Sequence, residues 1–100
     1  MYAVLTHEKA IKEYLQSIEW YEKQLPGLGE RFEKAFIAKR EQIKNHPEYF
    51  SFIKGKYRQA KIDNFPFVIV YEVFPPEQII HIASIFHGKR NPKKKFRRRK

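Results

Sequence analysis

A chain of 100 residues with 21 Lys or Arg, 11 Asp or Glu and 16% aromatics describes one basic domain built on a single small core. It has no cysteine, so disulfides and thiolate zinc sites are excluded, and no run approaches the roughly 20 apolar residues of a membrane span. The first eight residues lack the basic-then-apolar pattern of a signal peptide, which makes a cytoplasmic protein the expectation.

The net charge of +10 is unevenly placed. Residues 1–88 carry twelve Lys or Arg against eleven acids, whereas residues 89–100 carry nine Lys or Arg and no acid. The body is nearly neutral and the end is polycationic: Lys89, Arg90, Lys93, Lys94, Lys95, Arg97, Arg98, Arg99 and Lys100. A run of this kind suits polyanions such as nucleic acid, or an acidic protein partner. Alternatively, it is a solvated end that aids solubility. The expected organisation is one domain over residues 1–92 followed by a basic, flexible tail over 93–100.

In chain order, residues 2–5 are a short apolar run that reads as a first strand, with Thr6 placed to cap the helix after it. From residue 7 to about 25, Ile11, Tyr14, Leu15, Ile18 and Leu25 recur at the spacing of one helical face. Glu8 with Lys12, and Glu19 with Lys23, are acid-then-base pairs four apart that suit a solvent side. Pro26-Gly27 breaks this helix. A second helix is predicted over 28–45, with Leu28, Phe32, Ala35, Phe36 and Ile43 as its stripe and Glu30 paired with Lys34. His46-Pro47 ends it, because a residue before proline avoids the helical region. Two such helices joined by a short turn form an antiparallel hairpin.

Beyond residue 50 the composition turns to strand formers. Residues 50–54 read as an irregular link and 56–62 as a strand, with Asp63-Asn64 as a turn. The β-branched and aromatic run around Phe67-Val68-Ile69-Val70-Tyr71 reads as a buried strand. Pro75-Pro76-Glu77 turns into a last strand over 78–87. Strict alternation there puts Ile80, Ile82 and Ser84 on one side, and Ile79, His81, Ala83 and Ile85 on the other. The predicted class is α+β, ordered β-α-α-β-β-β, with the helix hairpin packed on a small, mainly antiparallel sheet. Val68, Ile69 and Val70 are expected in its central strand, under Ile11, Leu15, Phe32 and Phe36.

No phosphate-binding glycine loop, metal-ligand cluster or nucleophile elbow is present, so neither cofactor nor metal is expected. The four histidines, His7, His46, His81 and His87, have no ligand spacing. His87 ends the last strand and opens His87-Gly88-Lys89-Arg90-Asn91-Pro92, a cationic turn. It reads either as a plain strand terminator or as a working surface. Lys54, Lys56 and Arg58 recur every second residue and would share one face of a strand that began this early, with Lys61 beyond them. That face is either a solvent side or, with the tail, part of a positive patch that recognises phosphates or carboxylates.

Several segments together resemble one family. Trp20-Tyr21-Glu22 followed by Pro26-Gly27-Leu28-Gly29-Glu30-Arg31-Phe32 is similar to the helix hairpin of ParE-type toxins. So are His46-Pro47, Tyr57-Arg58, Phe65-Pro66-Phe67-Val68-Ile69-Val70-Tyr71, and the ending Ile85-Phe86-His87-Gly88-Lys89-Arg90-Asn91-Pro92. The resemblance to the ParE/RelE superfamily spans residues 2 to about 92. It implies a toxin neutralised by a cognate antitoxin in a hetero-oligomer, and two activities occur among its members. RelE-type toxins cleave messenger RNA on the ribosome, and ParE-type toxins poison DNA gyrase by binding.

The ribonucleases use second-strand lysines, a third-strand Arg, an Arg after the last strand and a Tyr six residues beyond. An ungapped match places Lys61 and Arg90 at two of these positions, and Val68 and Phe96 at the other two. Neither Val68 nor Phe96 carries the required group. The expectation is therefore a ParE-like gyrase inhibitor that binds its target or its antitoxin through Lys54, Lys56, Arg58, Lys61, His87, Lys89 and Arg90. The alternatives are a ribosome-dependent endoribonuclease, with Lys61, His87 and Arg90 as catalytic groups, and a non-toxic basic interaction module.

Overall fold

The computed structural model describes residues 1–88. The elements are β1 (Ala3–Thr6), α1 (Glu8–Gln24), α2 (Leu28–Asn45), β2 (Phe52–Lys54), β3 (Tyr57–Lys61), β4 (Phe67–Phe74) and β5 (Ile79–His87). The sheet runs β1-β5-β4-β3-β2, with β1 parallel to β5 and every other pair antiparallel. The α+β class and the helix hairpin on a mainly antiparallel sheet are as expected. One strand is added: residues 52–54, expected as an irregular link, pair with β3 as β2. Three residues carry too little alternation to be legible alone. Their partner is supplied by a turn at Gly55, whose φ of 55° favours glycine.

The cap of α1 is His7 rather than Thr6. Its Nδ1 accepts the Lys9 N–H at 2.9 Å, filling one of the donors that a helix start leaves open. At the other end of the hairpin, the N-cap of α2 is Gly27, which has no side chain to give. The Glu22 carboxylate of α1 replaces it, accepting from Gly27 N–H at 2.9 Å and Gly29 N–H at 3.0 Å. A Cβ on Gly29 would lie 2.7 Å from the Ile18 carbonyl oxygen, so only glycine lets the two helices approach this closely. Among the expected helix-surface pairs, Glu19–Lys23 (3.6 Å) and Glu30–Lys34 (3.5 Å) form, and Glu8–Lys12 does not.

The buried face of α1 differs from the predicted one. Ile11 and Leu15, expected against the sheet, are 44% and 56% exposed, and Leu25 is exposed as well. Ala10, Ser17 and Tyr21 face inward instead, with Tyr14 and Ile18 partly buried beside them. Both sets follow helical spacing. The small Ala10 and Ser17 admit the neighbouring layer, and the rings of Tyr14 and Tyr21 then meet α2. Tyr14 lies 4.4 Å from Phe36, and Tyr21 lies 5.3 Å from Phe32. Phe32, fully buried, also meets Phe65 at 5.2 Å and Phe67 at 5.1 Å, so one ring cluster locks hairpin to sheet.

β4 is the central strand. Ile69 and Tyr71 face the helices, whereas Val68 and Val70 alternate to the other side. In β5 the alternation slips. Val70 pairs with Ser84 and Tyr71 with Ile82, leaving Ala83 as an extra residue. This bulge returns Ile85 to the row opposite Ile69, on the same side as Ile80 and Ile82 and contrary to strict alternation. β1 ends before the bulge. Beyond it, the Glu13 carboxylate of α1 accepts from Ile85 N–H at 2.8 Å and Ser84 Oγ at 3.1 Å, standing in for the missing strand.

Phe32→Ala is expected to destabilise the domain by about 3–5 kcal/mol, and Leu15→Ala by under about 1 kcal/mol. Urea unfolding of both variants checks the packing, and equal losses would contradict it.

Candidate functional site

The cations of the β2–β3 region do not share one face. Lys54 lies in β2, Lys56 in the turn and Arg58 in β3, because the chain reverses at Gly55. The face expected for a single early-starting strand is therefore divided between two strands. Lys56 Nζ reaches the buried carboxylate of Glu72 at 3.1 Å, so its charge compensates an acid that would otherwise be stranded in the sheet. Arg58 stacks on the Phe52 ring, 3.9 Å from its centroid, and donates to Phe50 O at 2.7 Å and Glu48 O at 3.2 Å. It holds the segment after α2 against β3.

Tyr71, fully buried opposite Arg58, fixes the same segment from below by donating to Pro47 O at 2.8 Å. Burial pushes its phenol up to about 12, against the downward pull of the Arg58 charge. The Tyr14 phenol is also raised, first by burial and then by the Glu33 charge. Among the described residues, Lys54 and Lys61 make no ion pair.

Lys61 and His87 stand on opposite sides of the sheet. Lys61 pairs with Val68 and Val68 with Phe86, so these three share the row facing away from the helices. His87 pairs with Phe67, a core residue on the helix side, and their rings lie 5.3 Å apart. Gly88 closes the strand by donating to Pro66 O at 2.7 Å. Elsewhere, His81 meets His7 edge-on at 6.0 Å. No group of three metal-capable side chains occurs among the described residues, and no described helix is long and apolar enough to cross a membrane. Lys89, Arg90, Phe96 and the tail cations Lys93, Lys94, Lys95, Arg97, Arg98, Arg99 and Lys100 lie outside the described residues.

Sequence reasoning missed a cleft of about 750 Å³ beside β3, lined by Lys39, Tyr49, Phe50, Ser51, Gln59 and Lys61, among others. Lys39 is buried, pairs with Asp63 at 3.2 Å and lies 5.5 Å from the Phe50 ring centroid. A signal existed: Lys39 falls on the Phe32, Phe36, Ile43 stripe, where a charge interrupts the apolar pattern of α2.

The family model described as the ParE toxin of type II toxin–antitoxin system, parDE, matches residues 4–92. No curated protein matches the chain. Among solved structures, the chromosomal ParDE toxin–antitoxin system of P. aeruginosa superposes with a TM-score of 0.75 at 13% identity, covering 87% of this chain and 96% of that one. An E. coli RelE mutant in complex with a peptide of the antitoxin RelB gives 0.68 at 15% identity, covering 94% and 90%. The archaeal RelE–RelB complex from Pyrococcus horikoshii gives 0.56 at 18% identity, covering 89% and 97%. Identities this low show a shared fold.

Tyr71→Phe tests the anchor after α2. A phenol whose folded pKa lies above its ordinary value of 10.0 contributes stability that is present below pH 10 and lost as pH rises towards 12. The variant is expected to lose about 0.5–1.5 kcal/mol at neutral pH with its hydrogen bond. It should also show a shallower stability loss between pH 10 and 12, read by urea midpoints across that window. An unchanged alkaline slope would contradict the assignment.

Proposed function

Because this chain belongs to the ParE toxin family of type II toxin–antitoxin systems, we propose that it acts in the cytoplasm by binding DNA gyrase and that a cognate antitoxin neutralises it. The observation that carries this reading is the separation of Lys61 from His87. Cleavage of a phosphodiester requires a proton-transfer group and a charge-stabilising group converging on one phosphate. Here the lysine and the imidazole emerge on opposite sides of a sheet, in the rows of Val68 and Phe67. A binding surface has no such requirement. Lys54 and Lys61, together with the cationic segment that starts at Lys89 and Arg90, supply charge for a negatively charged target or partner. The tail cations from Lys93 to Lys100 would add contacts to the DNA held by such a target.

The antitoxin is expected to be an acidic segment that orders on contact. Exposed Ile11 and Leu15, four residues apart on α1, offer it an apolar stripe. Two partner-facing surfaces follow from this reading: the stripe on α1, and the β2–β3 edge that carries Lys54 and Lys61.

Purified toxin added to gyrase and to translating ribosomes separates the readings. The expected outcome is accumulated cleaved DNA with gyrase and intact messenger RNA on ribosomes. His87→Gln should retain most of the effect, and Arg90→Ala should weaken it. Deleting residues 93–100 should lower potency without changing the urea midpoint. Specific messenger RNA cuts that vanish with His87→Gln would replace the gyrase reading by the ribosomal one. No effect on either target would leave a basic interaction module.

A further inference from the structure

The floor of the cleft beside β3 is an open strand edge. Gln59 N–H donates outward to Ser51 O at 3.0 Å, whereas Ile62 N–H donates inward to Phe67 O at 2.9 Å. Donors alternate sides along an antiparallel strand, so Ala60 and Ile62 serve β4, and Gln59 and Lys61 face outward. The strand that should continue on the outer side stops short. β2 begins at Phe52, and upstream of Ser51 the chain turns back, with Tyr49 N–H donating to His46 O at 3.1 Å. The Lys61 N–H and the Gln59 and Lys61 carbonyls therefore meet no described residue, in a space of about 750 Å³.

The walls of this space are specific. On the helix side lie the Lys39 ammonium and the Phe50 ring, and Tyr49, 80% exposed, stands at the mouth. On the opposite side lies the Lys61 side chain beside Val68. The side chains of an extended segment point alternately to these two sides, so each side meets a lysine. Asp63, which holds Lys39, has a 70% exposed side chain and can yield to a second carboxylate. We propose that this edge is a strand-addition site for an extended acidic segment of a protein partner. Such a segment pairs its backbone with Gln59 and Lys61 and directs carboxylates to Lys39 and Lys61. The chain's own residues 89–100, with nine cations and no acid, are repelled by the same lysines.

The proposal rests on the reading that a protein partner holds this chain, and its test is independent of which partner that is. The probe is a blocked eight-residue peptide in which pairs of valines alternate with pairs of glutamates, so that both sides of the strand carry carboxylates, titrated into the isotope-labelled full chain at low salt. Expected are amide shifts at Gln59, Ala60 and Lys61, and hydrogen exchange at Lys61 slowed about tenfold at saturation. A peptide N-methylated along one edge should bind about tenfold weaker, because it cannot complete the ladder. The same peptide with lysine in place of every glutamate should not bind. Lys39→Met and Lys61→Gln should each weaken the glutamate peptide, and added salt should narrow the difference.

An unperturbed Lys61 amide, or equal binding of the lysine peptide, overturns the proposal. So does Lys61 protection that rises with protein concentration alone, which would assign the edge to a second copy. A failed titration leaves untouched any antitoxin that co-purifies with the chain, and a successful one without such an antitoxin keeps the site while removing the toxin–antitoxin reading.

Discussion

The close approach of α1 and α2 at Gly29 sets the geometry of the whole molecule. A side chain there would press on the Ile18 carbonyl, so glycine fixes how near the helices can come. Glu22 completes the joint by capping α2 from the neighbouring helix, which turns a bare glycine N-cap into a satisfied one. Both features lie within one turn of the hairpin. Together they fix the rotation of α1 about its own axis, and so decide that Tyr14 and Tyr21 face inward while Ile11 and Leu15 do not.

That rotation carries through to the sheet. Tyr21 and Phe32 meet Phe65 and Phe67 in one ring cluster, which seats the hairpin over β4 and β5. Glu13, on the same face of α1, then arrives at the edge of β5 where β1 has ended. At the other end of the hairpin, Lys39 reaches Asp63 past the end of β3, and Arg58 and Tyr71 grip the chain leaving α2. The cleft beside β3 is the gap left where that tethered segment diverges before β2 begins.

The cations divide by what they serve. Arg58 and Lys56 hold the fold, one by capping carbonyls and stacking on Phe52, the other by neutralising Glu72. Lys61 is left to face solvent on the side of the sheet away from the helices. His87 belongs to the opposite row, against Phe67. A surface of this kind suits recognition of charge better than chemistry at one atom.

By itself the sequence determined the element types, the hairpin break at Pro26-Gly27, the burial of Phe32 and Phe36, the central place of residues 67–71, and the family. All of these are signals local to one segment, carried by periodicity, turn chemistry or motif order. The sequence did not determine which of two interleaved stripes on α1 is buried. Ile11 and Leu15 are as apolar as a core requires, and Gly29 and the rings across the hairpin decide against them. Nor did it reveal β2, the bulge at Ala83, or the division of Lys54, Lys56 and Arg58 between two strands. Each depends on pairing with residues distant in the chain. The tertiary structure alone decided the sides taken by Lys61 and His87, because a single extra residue or turn flips every side chain beyond it to the other face of a sheet.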